Sequence, residues 1–170
     1  MIDRPDFIKN YKEVLTEDNA TYPGSKELLA QGAPVGRLCG LKKIGVHIEM
    51  LHPGRRTSWP HAEKTEEEFA FVIEGNPQAW IDGEIYDLGP GDFIGFPSGT
   101  GISHTFINNT DRVVLMLVGG EATKSDNKIF YPLHPHRNEE IREKGTLWDD
   151  HPKKALGNHD GKPDKLRDLE

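Results

Sequence analysis

The chain has 170 residues, enough for one well-buried domain and too few to favour a second. Its formal net charge of −7 argues against a nucleic-acid surface, because phosphate binding requires clustered Lys and Arg, and its single cysteine, Cys39, excludes an intramolecular disulfide. No apolar run reaches membrane-spanning length and no secretory signal begins the chain, so we expect a cytoplasmic protein that acts on small molecules rather than on nucleic acid or membranes.

The first part of the chain, residues 1–35, is predicted to form an arm beside the domain. Residues 7–15 are compatible with a short strand or with one helical turn, and the sequence does not decide between them. After a turn at Tyr22-Pro23-Gly24, residues 25–30 predict a short helix capped by Ser25 and ending near Gly32.

The middle of the chain, about residues 36–132, has the pattern of a β domain. Short β-type runs separated by Gly, Pro, Asn and Asp turns occur at residues 42–51, 68–73, 78–81, 84–88, 93–96, 104–107 and 112–119. The dipeptide Asp82-Gly83 is the clearest hairpin turn among them. Close, regular spacing of short strands predicts an all-β sandwich or small barrel.

Two of these runs are apolar at every position. Residues 69–73 and 113–118 contain no polar side chain, so both faces of each strand should be covered. The inner face can fill a barrel, whereas the outer face requires the N-terminal segment, a second sheet or a partner subunit. We expect a homodimer.

The remaining residues, 133–170, are charged and contain few apolar anchors, so they cannot form a core of their own. Either this C-terminal arm wraps over the barrel, held by Trp148, or its end is disordered. The whole chain is therefore predicted to be one domain with an arm at each end.

Four residues in two distant segments predict a split metal site. His61 and Glu63 are two apart, so on an extended strand both side chains leave the same face and can converge on one cation. Glu68 and His104 would complete the set.

The glycines and prolines around these residues resemble the two motifs of the cupin superfamily. The first motif is matched by Gly54, His61, Glu63, Glu68 and Gly75, with one extra residue after Gly54. The second is matched by Gly91, Pro97, Gly99, His104 and Asn108, with two extra residues before the histidine. The wording of the second motif, together with a late His-Asp-Gly-Lys-Pro, is similar to small single-domain cupins, some of which carry the label of sugar-phosphate isomerase.

The resemblance implies an all-β double-stranded β-helix and one divalent metal ion held by His61, Glu63, Glu68 and His104. Glu63 stands where the family most often has its second histidine. A carboxylate at that place shifts the preference toward Mn²⁺ or Fe²⁺, while Zn²⁺ remains compatible. The alternative is that the substitution weakens binding until the protein is metal-free.

Two classes of function remain open on the sequence. The preferred one is a metal-dependent enzyme for a small oxygen-rich substrate, either an isomerase with Glu63 as general base or, with Fe²⁺, a dioxygenase. The other is a non-catalytic cupin that senses or stores a small ligand. Arg55 and Arg56 are candidates for binding a carboxylate or phosphate of the ligand, and His47 is a candidate to point inward toward it.

Overall fold

The structure is a computed structural model that describes residues 3–122 and 124–167. Short antiparallel strands dominate these residues, as the sequence predicts. The strands are β1 (Gln31–Ala33), β2 (Ile44–Leu51), β3 (Arg55–Arg56), β4 (Ala62–Glu63), β5 (Glu68–Glu74), β6 (Gln78–Ile81), β7 (Glu84–Asp87), β8 (Phe93–Phe96), β9 (His104–Asn108), β10 (Val114–Glu121) and β11 (Ile129–Phe130).

Two sheets enclose the core. One contains five strands in the order β1-β2-β10-β5-β8, and the other contains four in the order β3-β9-β6-β7, while β11 and β4 form a separate pair. Side chains from both sheets meet in one buried cluster, to which the five-stranded sheet contributes Val72 and Met116 and the four-stranded sheet contributes Ala79 and Phe106. The predicted all-β fold with two antiparallel sheets is confirmed.

The Asp82-Gly83 hairpin joins β6 to β7 as predicted. Both turn residues have positive φ, 48° at Asp82 and 91° at Gly83, which is the backbone of a type I′ turn that matches the twist of the flanking strands. A side chain at position 83 has no room, because a Cβ there would lie 2.3 Å from the backbone nitrogen of Gly157.

The helices lie outside the barrel. A 3₁₀ turn covers Tyr11–Glu13, and three α-helices follow: α1 (Val35–Leu38), α2 (Pro135–Glu143) and α3 (Asp164–Arg167). The helix predicted at residues 25–30 is wrong. Ser25 Oγ does accept a hydrogen bond from the Glu27 amide, but Leu29 then bonds back to the Ala20 carbonyl and the segment stays extended against the barrel.

The C-terminal arm wraps over the barrel. Trp148 is buried, its amide bonds to the Ile129 carbonyl, and further along the arm the His159 carbonyl accepts a hydrogen bond from the indole of Trp80. A second apolar cluster forms where this arm meets the N-terminal segment, with Tyr131 and Ile141 at its centre. No helix among the described residues is long and apolar enough to cross a membrane.

The inner face of the apolar strands is buried, whereas their outer face is only partly covered. Val72 and Val114 are fully buried inside the barrel, whereas on the same strands Ile73 and the neighbouring Val113 are 40% and 37% exposed. Phe93 at the edge of the five-stranded sheet is 65% exposed and packs its ring against Phe69. This outer face of the five-stranded sheet is therefore free in the single chain, and the homodimer stays a prediction.

Candidate metal centre

The backbone brings the two motif histidines side by side. His61 and His104 form an isolated antiparallel bridge in which each amide donates to the other's carbonyl, at 3.2 and 3.0 Å. Their ring centroids are 5.2 Å apart. Glu68 begins β5 opposite Phe96, and the Phe96 ring stacks on His104 with 3.5 Å between centroids, so the same strand pair positions the carboxylate and supports the imidazole.

Three donor atoms converge on one point. Oε2 of Glu68 lies 3.4 Å from Nε2 of His104 and 3.8 Å from Nε2 of His61. A donor atom of each of the three residues lies within 4.8 Å of the other two. Donors held about 2.1 Å from a shared ion lie roughly 3 to 3.5 Å apart, so a small inward movement would bring these atoms to ligand spacing.

Hydrogen bonding and burial suit the three groups for ligation. Nδ1 of His61 donates to the Trp59 carbonyl at 2.8 Å, so Nε2 is the nitrogen that faces Glu68. Burial lowers the pKa of His104, although the adjacent Glu68 opposes this, and favours the neutral ring. Burial alone would raise the pKa of Glu68, but His104 and His61 outweigh it and lower that pKa to about 2.

The donor set fits a divalent cation. Oε2 of Glu68 is buried and has no hydrogen-bond partner, although it lies between two imidazole nitrogens. A buried charged oxygen without a partner is costly, and a cation shared with the two nitrogens would satisfy it. Two imidazoles and a carboxylate are ligands that Mn²⁺, Fe²⁺ and Zn²⁺ all accept.

Glu63 lies beside this group of three without belonging to it. Its Oε1 is 3.8 Å from Nε2 of His61, and its Oε2 accepts a short hydrogen bond from the side-chain amide of Asn127. Burial raises the pKa of Glu63 to about 7, against the opposing effects of His61 and Asn127. The carboxyl group therefore faces the metal centre and is held there from the opposite side.

The two arginines are paired with carboxylates of the N-terminal arm. Arg55 forms a two-pronged salt bridge with Asp18 and also donates to the Leu29 carbonyl. Arg56 is 2% exposed and donates to both carboxylate oxygens of Glu27, at 2.6 and 2.8 Å, and to the Gly161 carbonyl at 2.7 Å. A ligand would have to displace Glu27 to reach Arg56.

His47 and Glu49 lie on β2 with their side chains on the barrel side of the sheet. His47 is in register with Val118, next to Gly32 of β1; its side chain is partly exposed, and the part that is buried lowers its pKa. Glu49 is a site residue that the motif did not point to. Burial and the nearby Glu68 raise its pKa to about 7, and its Oε2 is buried without a hydrogen-bond partner.

Comparison with known proteins identifies the barrel. Residues 47–119, which run from β2 to β10, match the family model of the cupin domain. This segment is similar to a cupin domain. The three converging donors all lie inside it, and its strands belong to the two antiparallel sheets described above. No curated protein sequence is significantly similar to the chain.

Several solved structures resemble the chain over more than half of its length. A sugar phosphate isomerase of the cupin superfamily from Silicibacter pomeroyi is 31% identical with a TM-score of 0.58, over 60% of this chain and 64% of that one, so the match spans less than two thirds of that relative. A candidate sugar phosphate isomerase from Acidithiobacillus ferrooxidans is 23% identical with a TM-score of 0.64, over 75% of this chain and 81% of that one. The polyketide cyclase RemF from Streptomyces resistomycificus is 19% identical with a TM-score of 0.59, over 86% and 99%. The last two show the fold alone.

Proposed function

We propose that this cupin is a metal-dependent enzyme that isomerises a small oxygen-rich substrate of the sugar-phosphate type. The observation that carries the proposal is the convergence of His61, Glu68 and His104 on one point, with the Glu68 oxygen unpaired between the two imidazoles. The likeness to the Silicibacter pomeroyi sugar phosphate isomerase, at 31% identity, supports the choice of reaction.

His61, Glu68 and His104 would hold the ion, and these three ligands would leave positions for substrate oxygens. A divalent cation in such a site polarises an adjacent carbonyl and hydroxyl and so acidifies the C–H bond beside them.

Glu63 is the residue that we assign to proton transfer. Its carboxyl group faces the metal centre but lies outside the group of three donors, and Asn127 fixes its orientation. In an aldose–ketose isomerisation Glu63 would take the proton from the carbon beside the carbonyl and return it to the neighbouring carbon. The hydroxyl proton moves to the former carbonyl oxygen, one carbon is oxidised as the other is reduced, and no outside oxidant is needed.

Metal content tests the first half of this proposal. Untagged protein reconstituted with Mn²⁺, Fe²⁺ or Zn²⁺ and then dialysed should retain one ion per chain by mass spectrometry. Glu68→Gln should weaken binding by at least about 100-fold, since even outer-shell partners of metal ligands contribute 10- to 100-fold. Glu67→Gln is the matched control, because Glu67 is the exposed neighbour on the same segment. Metal well below one ion per chain in the wild type would favour a non-catalytic ligand-binding cupin instead.

Proton exchange tests the second half. Each metal-loaded form is incubated in D₂O with a panel of aldose and ketose phosphates, and incorporation of deuterium at the carbon beside the carbonyl is followed by NMR. We expect exchange with the wild type and its loss in Glu63→Gln at unchanged metal content. Absence of exchange with every metal would remove the isomerase reaction, and oxygen uptake by the Fe²⁺ form would replace it with a dioxygenase.

A further inference from the structure

Glu49 is a half-buried residue on the inner face of the barrel, with its Oε2 atom buried, and it lies outside the group of three donors. It lies in the middle of β2, in register with Met116 of β10 and, through that residue, with Val72 of β5. Met116 and Val72 are both fully buried in the core between the sheets, so Glu49 projects from the same face toward the interior.

The position of Glu49 relative to the metal centre follows from the strand register. Gly120 of β10 pairs with Glu68 on one side and with Gly45 on the other. Glu49 is four residues beyond Gly45 on the same strand, which places it two side-chain rows along the sheet from Glu68 and, because β10 lies between β2 and β5, two strands across on the same inner face. Glu68 is one of the causes of the raised pKa of Glu49, so the two carboxylates share one electrostatic environment.

One oxygen of this carboxylate has no donor among the described residues. Oε2 of Glu49 is buried and makes no hydrogen bond. Desolvating a carboxylate oxygen without a donor destabilises the folded protein. Solvent reaches the metal centre, since the side chain of Glu68 is 29% exposed, and Glu49 lies on the same inner face of the five-stranded sheet.

We propose that Glu49 is a substrate-binding residue that accepts a hydrogen bond from a hydroxyl group of the ligand, beyond the oxygens that reach the metal. This inference rests on the proposed function, because it places the ligand at the metal centre first. A hydroxyl fits better than an ammonium group. Glu49 and Glu68 provide the only buried carboxylate oxygens without partners among the described residues, and Glu68 is assigned to the ion, so a single acceptor remains.

The inference defines a substrate class. The ligand carries a chelating pair of oxygens for the metal and at least one further hydroxyl on a neighbouring carbon. Glycerate and lactate are a matched pair of probes, because both are 2-hydroxy acids that can chelate and only glycerate has a hydroxyl at carbon 3.

Isothermal titration of both acids into full-length, Mn²⁺-loaded protein tests it. At pH 8, above the pKa of about 7 that burial gives Glu49, we expect the wild type to bind glycerate roughly ten- to a hundredfold more tightly than lactate, the factor that a hydrogen bond to a charged acceptor contributes. Glu49→Leu should abolish this preference while lactate affinity and metal content stay unchanged. Glu74→Leu, the same substitution at an exposed position of β5, is the control and should keep the preference.

Thermal unfolding of the metal-free protein gives an independent readout. Glu49→Leu should raise the midpoint, because it removes a buried carboxyl without a donor; a lowered midpoint would show a structural partner and overturn the inference. Should the leucine variant fail to fold, Glu49→Gln replaces it and should reduce the preference, since a neutral acceptor forms a weaker hydrogen bond.

The remaining outcomes separate the two proposals. A wild type that does not prefer glycerate, or a Glu49→Leu protein that keeps the preference, overturns the role of Glu49 whatever the metal content. Loss of metal in Glu49→Leu also overturns it, because Glu49 would then be a ligand of the ion. If the wild type itself retains no metal, the metal-dependent function fails. A glycerate preference that the metal-free wild type shows and metal-free Glu49→Leu lacks would then support the hydroxyl subsite by itself.

Discussion

Replacing Arg56 by methionine should lower the free energy of unfolding far more than the same change at its neighbour Arg55. Arg56 is 2% exposed and binds Glu27, whose side chain is 13% exposed, through two hydrogen bonds and the Gly161 carbonyl through a third. Removing one partner of a buried ion pair leaves the other desolvated and costs about 3 to 5 kcal/mol of unfolding free energy. For a chain of this size that corresponds to a fall of roughly 6 to 20 °C in Tm.

Arg55 provides the matched control. Its partner Asp18 is 39% exposed, and such pairs contribute only about 0.2 to 1 kcal/mol. Urea titration of both variants, with Glu27→Gln and the Arg56→Met/Glu27→Gln double variant to complete a mutant cycle, measures the coupling directly. Equal losses for Arg55→Met and Arg56→Met, or a coupling energy near zero, would refute the view that Arg56 holds the two arms to the barrel.

Three further outcomes are expected. The wild type should sediment as a dimer at micromolar concentration, and Phe93→Asp should sediment as a monomer. Tyr86→Asp, at a comparably exposed site on the four-stranded sheet, should stay dimeric. A monomeric wild type would contradict the homodimer prediction. Burial and Arg56 lower the pKa of His134 to about 4, so the unfolded chain is protonated first and stability should fall between about pH 6.5 and pH 4; His134→Phe should flatten that part of the Tm against pH curve. Gly83→Ala, which forces a Cβ against Gly157, should lower Tm and expose the C-terminal arm to limited proteolysis, and an unchanged digestion pattern would count against that contact.

The strands and the convergence of the three candidate metal donors could be predicted from the sequence because their signals are local. The hairpin at Asp82-Gly83 needs only two residues with positive φ, and that dipeptide supplies them. His61 and Glu68 are seven residues apart in one motif, and His104 follows a turn framework of its own, so a pattern of spacings is enough to place them on neighbouring strand ends.

Features that depend on distant pairing could not be predicted in this way. Glu49 is one polar residue in a strand, and whether it faces solvent or the barrel depends on the register of β2 with β10. The sequence after Ser25 is typical of a capped helix. Arg56 and Trp59, some thirty residues further along the chain, bind the side chain of Glu27 instead, and the segment does not form a helix. The sequence does not show that Arg55 and Arg56 pair with Asp18 and Glu27 of the N-terminal arm, and without those partners both arginines are compatible with ligand binding.

The arms are physically connected to the metal centre through one residue. Trp59 accepts the Nδ1 hydrogen bond of His61 on its carbonyl and so sets the direction in which that ligand presents Nε2. The indole of the same residue donates to Glu27 of the N-terminal arm and stacks between Tyr22 and His134, with 4.1 Å between ring centroids on each side. Both arms therefore hold the tryptophan that orients a candidate metal ligand, which links them to the site although neither arm contributes one of its three candidate donor atoms.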